Sequence, residues 1–459
     1  MTLNRPLEGA GDACLLSAAD LAIAYRQRTL SPVDVATAAM DRAEDINPRF
    51  NAFTLIDRRG ALASAAASEA RWRAGAPLSD VDGVPTTLKD IVWVDGWSVR
   101  YGSATTDAKP YDADAPSVAL LRKAGTVFIG QTTTPEFGWK AVTDSRSFGI
   151  TRNPWNPDKT PGGSSGGAAV AAATGAGVFH LGTDGGGSIR IPSAFCNLTG
   201  FKPTARRVPM TGGVPLSTSL DSGGPLANSV DCCAIVDAVL SGESGNDAFD
   251  TTAVPLAGLR FGITQDFVGA DLDNTVAVAF ERAVERLERA GAHIVRFEFP
   301  ELLQLPEINS GGGFSAAESW AWHRSLLARA EVQYDPRVAT RIRRGEQMSA
   351  AAYIDVINAR ARMIAAARKR LGNFDAWLMP TVAIVPPEVA PLEVDDAQFF
   401  RINALTLRNP SVINFLDGCA LTLPVHVAGE LPVGLSLCGL ANDDARILRV
   451  GRAVEAALR

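Results

Sequence analysis

The sequence predicts an α/β fold in which a single domain spans residues 1–459. Short segments rich in β-branched residues alternate with segments of helical periodicity, which is typical of a layered α/β architecture. The 459 residues, 46% of them hydrophobic, are enough to bury a large core. No clear linker divides them, so we expect one large domain.

The first clearly signalled helix begins after Ser31. Ser31 is a favourable N-cap, Pro32 suits the first helical position and Asp34 occupies the capping-box position. Asn47–Pro48 is expected to end this helix. Further helices are predicted at Ala61–Ala74, Ser117–Ala124, Asp273–Ala290, Ala350–Leu371 and Asp443–Leu458.

Strands are predicted where short apolar runs are bounded by glycine. Two such runs lie between the early helices, "GVPTTLKDIVWV" from Gly83 and "GTVFIGQ" from Gly125. Near the end of the chain, "LPVHVAGELPVGLSLCG" has the pattern of a β-hairpin. These runs supply the strands of the predicted α/β layers.

Charge and cysteine content exclude several classes of protein. The net charge of −6 gives no general attraction to nucleic acid or to anionic lipid, and no run approaches the ~20 apolar residues of a membrane-spanning helix. The six cysteines form no CxxC pair and no metal-ligand set, as expected of buried free thiols in a reducing compartment. We therefore expect a cytoplasmic protein without a metal or cofactor.

Two glycine-rich segments offer candidate nucleophiles. "KTPGGSSGG" contains Ser164 and Ser165, and "GTDGGGSIRIPSAF" contains Ser188. The string G-x-S-x-G matches the nucleophile elbow of α/β-hydrolases, but "NPWNPDKTP" before it cannot be the central strand that an elbow needs. The four histidines, His180, His293, His323 and His426, have no evident acidic partner motif. An elbow-type esterase is thus disfavoured, though spatial neighbours are not visible in a sequence.

Lysine is the other residue type that can activate a serine, if burial keeps it neutral near pH 7. Lys89 lies in an apolar, strand-like segment and is the candidate. Position alone would favour an exposed charge at a strand edge. The S-x-x-K spacing of penicillin-binding enzymes is also missing, because Thr86 stands three residues before Lys89.

The combination of segments carries more information than any one of them. "GVPTTLKD", "PGGSSGG" and "GTDGGGSIRIPSAFCNLTGFKPT", in this order and spacing, resemble the amidase signature family. The resemblance continues through "DSGGPLANS", "MPT" and "LPVGLSLCG", and so covers nearly the whole chain, with a signature core at about 80–230. It implies a large mixed central β-sheet covered on both faces by helices.

The resemblance also implies the site residues. Carried over by motif, Lys89 is the base, Ser164 is a bridging serine on a cis peptide bond, and Ser188 is the nucleophile. The oxyanion hole falls on the backbone of Gly185, Gly186, Gly187 and Ser188. The supporting residues are Ser165, Thr183, Asp184 and Arg190.

The chain departs from the family pattern at two places near this site. Gly185 stands where the family more often has a bulkier residue, which predicts a looser loop that keeps its N–H. His180 stands where a small residue is usual, and we interpret it as structural.

The function implied is a stand-alone amidase that hydrolyses a carboxamide through an acyl-enzyme on Ser188. The alternative within the family is the amidase subunit of a transfer-RNA-dependent amidotransferase. Those subunits are similar around "GLKPTYGRVSR", whereas this chain has "GFKPTARRVPM". A non-catalytic scaffold on the same fold is disfavoured by the intact set of Lys89, Ser164 and Ser188.

The substrate is less well defined by the sequence. Trp139 and Trp320 are candidate pocket residues, although aromatic core packing explains each equally well. An aromatic pocket would suit an aryl or indolyl acetamide. No carboxylate-binding arginine motif is obvious, though an isolated arginine could serve. We expect a small-molecule amide as the partner, with neither nucleic acid nor membrane, and leave a homodimer open.

Overall fold

A mixed sheet runs through the centre of the protein and is flanked by helices. The computed structural model describes residues 13–107, 109–243 and 254–459. Within these residues, eleven strands form the sheet in the order β1-β3-β2-β6-β8-β7-β12-β13-β11-β9-β10. The strands are β1 (Phe53–Ile56), β2 (Pro85–Lys89), β3 (Val127–Thr132), β6 (Phe179–Asp184), β7 (Thr199–Lys202), β8 (Ser222–Ala227), β9 (Arg260–Ile263), β10 (His293–Arg296), β11 (Ala376–Pro380), β12 (Cys419–Pro424) and β13 (Gly434–Gly439), while β4 (Asp144–Ser145) and β5 (Gly149–Ile150) pair separately.

Helices connect these strands and cover the sheet, as the sequence predicts. The longer ones carry one buried face, which packs on the sheet or on a neighbouring helix. They are α1 (Ala18–Gln27), α2 (Pro32–Phe50), α3 (Arg58–Arg73), α4 (Pro116–Lys123), α5 (Gly166–Thr174), α6 (Arg190–Phe195), α7 (Val230–Ser241), α8 (Asn274–Arg289), α9 (Leu305–Ile308), α10 (Gly313–Ala330), α11 (Pro336–Arg343), α12 (Ala350–Leu371), α13 (Val389–Val394), α14 (Asp396–Phe415) and α15 (Asp444–Leu458).

Most predicted elements agree with the structure to within one to three residues, and the predicted hairpin is the antiparallel pair β12 and β13. The expected end of α2 at Asn47–Pro48 is wrong, because the helix continues to Phe50. Proline removes one helical hydrogen bond, which an exposed last turn tolerates. The Asn47 side-chain carbonyl accepts from the N–H groups of Ala52 and Phe53, and so stabilises the helix end.

Strand direction brings the signature segments together. β2 is parallel to both β3 and β6, with Leu88 opposite Leu181. The carboxyl ends of β2 and β6 therefore meet at one edge of the sheet. All residues of β2 are buried, as expected of a central parallel strand.

Two predictions about the whole chain can be compared with this structure. All six cysteines are buried and free. Across the described parts of the chain, no helix combines the length and the apolar character needed to cross a membrane.

Candidate active site

Lys89 is the last residue of β2, and its ammonium group is buried at the sheet edge. Its Nζ donates hydrogen bonds to Ser164 Oγ at 2.7 Å and to Thr183 Oγ1 at 2.8 Å. Thr183 comes from the end of β6, so the parallel pairing of β2 and β6 sets this contact. The exposed strand-edge interpretation of Lys89 is therefore wrong.

Burial lowers the pKa of Lys89 to about 7, while the negative charges of Asp184 and Asp221 oppose that shift. The charged ammonium loses its hydration at this position, and the two carboxylates compensate only in part. A substantial fraction of Lys89 is thus neutral at pH 7 and able to accept a proton.

The two adjacent serines face different partners. The peptide bond between Gly163 and Ser164 is cis. Ser164 Oγ meets Lys89, whereas Ser165 Oγ lies 3.3 Å from both the N–H and the carbonyl oxygen of Thr183. Ser165 also donates its backbone N–H to the carbonyl of Ser188 at 3.2 Å. Of the pair, only Ser164 contacts the lysine.

Ser188 lies in the loop between β6 and α6 and is 7% exposed. Gly187, just before it, has φ of 129°, and a Cβ there would lie 2.6 Å from Pro410 Cβ. Only glycine fits such a position. The Gly187 N–H donates to the Asp184 carboxylate at 2.7 Å. Among the described residues, the N–H groups of Gly185, Gly186 and Ser188 have no hydrogen-bond acceptor.

A buried ion pair holds this loop in place. The Arg190 guanidinium contacts both Asp184 oxygens at 3.0 Å, and Asn414 bonds to Asp184 and Arg190 from α14. Burial alone would raise the pKa of Asp184, but the charge and hydrogen bonds of Arg190 hold it well below its ordinary value. These contacts fit the bracing role expected of Asp184 and Arg190.

Replacing Arg190 by methionine tests this brace. Arg190→Met leaves the Asp184 carboxylate buried without its cation, and such changes lower the free energy of unfolding by about 3–5 kcal/mol. Urea unfolding at pH 7 measures the loss. Because the Asp184 pKa is depressed in the folded state, its stabilisation in the wild type is present above about pH 4 and lost as the pH falls below it.

The control for this prediction is Arg296→Met. Arg296 pairs with Glu281 at 2.8 Å, and both side chains are about half exposed. Exposed pairs contribute less than about 1 kcal/mol. Equal losses for the two variants would contradict the bracing role.

Asp221 is a buried residue of the site that the sequence analysis missed. Its Oδ2 accepts from the N–H groups of Leu216 and Ser217, and burial raises the pKa of the carboxyl to about 7. A Cβ on Gly185 would lie 2.4 Å from Asp221 Oδ1. This explains the glycine at a position where the family has bulkier residues, and the expected looser loop is instead filled by Asp221.

Two chambers meet at Ser188. The first, about 530 Å³, is lined largely by apolar residues of the segment 208–216 and also by Ser164, Thr183 and Asp221. The second, about 870 Å³, lies between α14 and α11. Gly185 and Ser188 border both chambers. A bound molecule can therefore present one bond to Ser188 and extend to either side.

The two tryptophans predicted as pocket residues differ in position. Trp139 lines the second chamber. Trp320 lies outside the lining of both chambers and packs against the main hydrophobic core.

The second chamber carries arginines that the sequence analysis did not single out: Arg341, Arg401 and Arg408. Arg401 and Arg408 are seven residues apart in α14, close to two helical turns, which places them on one face. That spacing is a signal in the sequence, but only the fold shows that Arg341 of another helix joins them.

The histidines do not support an elbow-type esterase. No histidine is among the described residues that line either chamber. His180 is buried and bonds to Thr87 Oγ1 at 2.7 Å, and His323 bonds to Tyr334 at 2.8 Å. Burial lowers the pKa of both to about 3. His180 thus has the structural contacts expected of it.

Comparisons with known proteins agree with this geometry. A family model described as Amidase matches residues 34–448. A curated relative, 2-amino-5-chloromuconic acid deaminase of Comamonas testosteroni, is 34% identical over 449 residues, which are 97% of this chain and 96% of the relative. The amidase-type component of the glutamyl-tRNA(Gln) amidotransferase of Salinispora arenicola is 32% identical over 490 residues, 97% and 98% of the two chains.

Solved structures match the fold as closely. A crystal structure described as an amidase has a TM-score of 0.88 and 29% identity, and covers 97% of this chain and 100% of its own. A bacterial aryl acylamidase of the amidase signature family has a TM-score of 0.84 and 25% identity, with 96% of each chain covered.

Proposed function

The chain belongs to the amidase family, and from this premise we propose that it is a stand-alone amidase that converts a carboxamide to a carboxylic acid and ammonia or an amine. Members of the family hydrolyse C–N amide bonds. The observation that carries the proposal is the buried Lys89 Nζ at 2.7 Å from Ser164 Oγ, beside Ser188 at the junction of two chambers.

The first half of the reaction forms an acyl-enzyme. Neutral Lys89 accepts the proton of Ser164, and Ser164 accepts that of Ser188 as Ser188 Oγ attacks the amide carbon. The N–H groups of Gly185, Gly186 and Ser188, which have no acceptor within the described parts of the chain, donate to the oxyanion. Gly187 would act differently from the other loop residues, because its N–H already serves Asp184.

The second half releases the products. As the tetrahedral intermediate collapses, the proton on Lys89 returns through Ser164 to the departing nitrogen. Water then attacks the ester on Ser188, its proton following the same path, and frees the carboxylic acid. Thr183 accepts a second hydrogen bond from Lys89, which holds the lysine toward Ser164 in each step.

The chambers bear on the aryl or indolyl acetamide hypothesis. The apolar wall of the first chamber favours such a group there, and Trp139 offers an aromatic wall in the second. The relative from Comamonas testosteroni is named for releasing an amino group from an acid. That relationship supports chemistry at a C–N bond of a small molecule.

The second candidate is the amidase component of an amidotransferase, favoured by 32% identity to such a component over 97% of this chain. The two functions differ in whether the chain alone releases ammonia. Purified protein that releases ammonia from small amides, without any partner, would support the stand-alone enzyme. Hydrolysis that depends on an added partner would support the amidotransferase role.

Labelling with a fluorophosphonate tests the proposed nucleophile. We expect one adduct per chain, located on Ser188 by peptide mass spectrometry, because that side chain alone combines access with the proposed relay. Lys89→Ala should slow labelling by at least about 100-fold, since general-base activation contributes about 10²–10⁴. Ser188→Ala should abolish the adduct. An adduct on Ser164 or Ser165 would overturn the assignment.

We also infer a cytoplasmic location. The support is the set of six buried, unpaired cysteines, which is typical of a reducing compartment.

A further inference from the structure

We propose that the second chamber is a carboxylate site, and that the natural substrate is an amide whose acyl part carries a carboxylate. This inference rests on the proposed amidase function, because it assigns the substrate class of the same site. The support comes from the charges that line the chamber and from the hydrogen-bond donors that they leave unused.

The chamber has a surplus of positive charge. Arg341, Arg401 and Arg408 line it, and Asp271 is the carboxylate among its described lining residues. Lys140 also lines it, but the Lys140 ammonium is already paired with two carboxylates, those of Asp144 and Asp335, each at 2.5 Å. The three arginines make no ion pair within the described parts of the chain. A negative ligand would balance this surplus.

Arg408 has a donor without an acceptor. Its Nε bonds to Asn409 Oδ1 at 3.0 Å, while Nη2 is buried and has no hydrogen-bond partner among the described residues. Burial lowers the pKa of Arg408 against the charge of Asp271. A buried, unpaired N–H of a cation is unfavourable unless an acceptor is supplied.

Arg341 lies on the other wall and is held in place. Its Nη1 donates to the carbonyl of Trp139, and its guanidinium lies 4.9 Å from the Trp139 ring centroid. Burial, and then the nearby Arg344, lower the pKa of Arg341 to about 10. The guanidinium is therefore fixed in orientation and poorly compensated, as suits recognition of an anion.

The chamber is continuous with the proposed nucleophile. Ser188 and the Gly185–Gly186 segment border it, and its volume of about 870 Å³ is in the range of small-molecule sites. An amide carbonyl at Ser188 can thus have its acyl chain in this chamber and its carboxylate among the arginines. Trp139 would then form a wall beside that chain.

The test compares acid amides with neutral amides of the same chain length. The acid series is malonamate, succinamate and glutaramate, and the neutral series is propanamide, butanamide and pentanamide, with release of ammonia as the readout. We expect kcat/KM of the best acid amide to exceed that of its neutral counterpart at least 100-fold. A ratio near one would overturn the carboxylate site.

Variants assign the preference to the chamber. Arg408→Gln should lower the ratio of acid to neutral kcat/KM by about 10- to 100-fold, mainly through KM, as expected for loss of a charge-assisted hydrogen bond. Arg408→Lys keeps the charge without the guanidinium fork and should recover part of the ratio. Arg341→Gln is a second, independent variant. The control is Arg289→Gln, at an exposed site on α8, for which the ratio should stay at the wild-type value.

A binding measurement separates this inference from the proposed function. Calorimetric titration of the Ser188→Ala chain with glutarate requires no hydrolysis. We expect binding that weakens at least 10-fold in the Ser188→Ala, Arg408→Gln double variant. Absence of binding together with normal labelling of Ser188 would overturn the carboxylate site alone. Binding of glutarate without labelling of Ser188 or hydrolysis of any amide would instead overturn the proposed amidase function.

Discussion

The Lys89→Met chain is expected to be both inactive and more stable than the wild-type protein. Methionine fills the same buried space but cannot accept the proton of Ser164, so kcat/KM should fall by about 10⁴-fold. The buried lysine is unfavourable to folding, because burial lowers its pKa to about 7 from the ordinary value for lysine. Activity and stability should therefore change in opposite directions.

The sign of the stability change follows from proton linkage. Between about pH 7 and 10 the unfolded chain holds a proton on Lys89 that the folded chain does not, so wild-type stability rises with pH across this window. At pH 8 the variant should be more stable by about 1–3 kcal/mol, after allowing about 1 kcal/mol for each hydrogen bond lost to Ser164 and Thr183. The difference should narrow toward pH 10, as measured by urea unfolding.

The wild-type pH profile is the companion measurement. If Lys89 acts as the neutral base, kcat/KM should rise with pH through an apparent pKa near 7 and stay high on the alkaline side. An optimum near pH 5 would contradict this role. A variant that is inactive and also less stable at pH 8 would indicate that Lys89 is a structural ion-pair residue.

The three serines of the site should differ sharply in their effects. Ser188→Ala should reduce hydrolysis to background, because no group remains to form the acyl-enzyme. Ser164→Ala should lower kcat by about 10³- to 10⁴-fold, because it removes the group between Lys89 and Ser188. The measurement is kcat for release of ammonia, with folding checked by circular dichroism.

Ser165→Ala is the matched control, since it removes the same atom one residue away. Ser165 Oγ makes two long contacts with the Thr183 backbone, both at 3.3 Å, so we expect a loss of about 10-fold or less. The order of effects should be Ser188, then Ser164, then Ser165. A larger loss at Ser165 than at Ser164 would mean that the relay runs through the other member of the pair.

Local sequence signals predicted most of the elements. Caps and apolar spacing located α2, α8 and α12, and glycine-bounded apolar runs located β2 and β3. The end of α2 was missed because Asn47 caps the helix end through contacts with Ala52 and Phe53, beyond the expected boundary. Local interactions of this kind act over a few residues, and so they leave a trace in the sequence.

The site residues were reached in two ways. Residues implied by motif, such as Lys89, Ser164 and Ser188, lie at one edge of the sheet, because β2 and β6 are parallel neighbours. Asp221 was missed, since nothing in its own segment indicates that its carboxylate occupies the space above Gly185. That contact joins residues 36 positions apart and exists only after folding.

By itself, the sequence determined the alternation of strands and helices, the family and the residue types available for amide chemistry. The tertiary structure decided which of those residues meet, how strongly burial lowers the pKa of Lys89, and that arginines of α11 and α14 share one chamber beside Ser188. The physical reason is that periodicity and capping depend on neighbours in the chain. Burial, charge surplus and cavity shape depend on elements that only the folded sheet and its helices bring together.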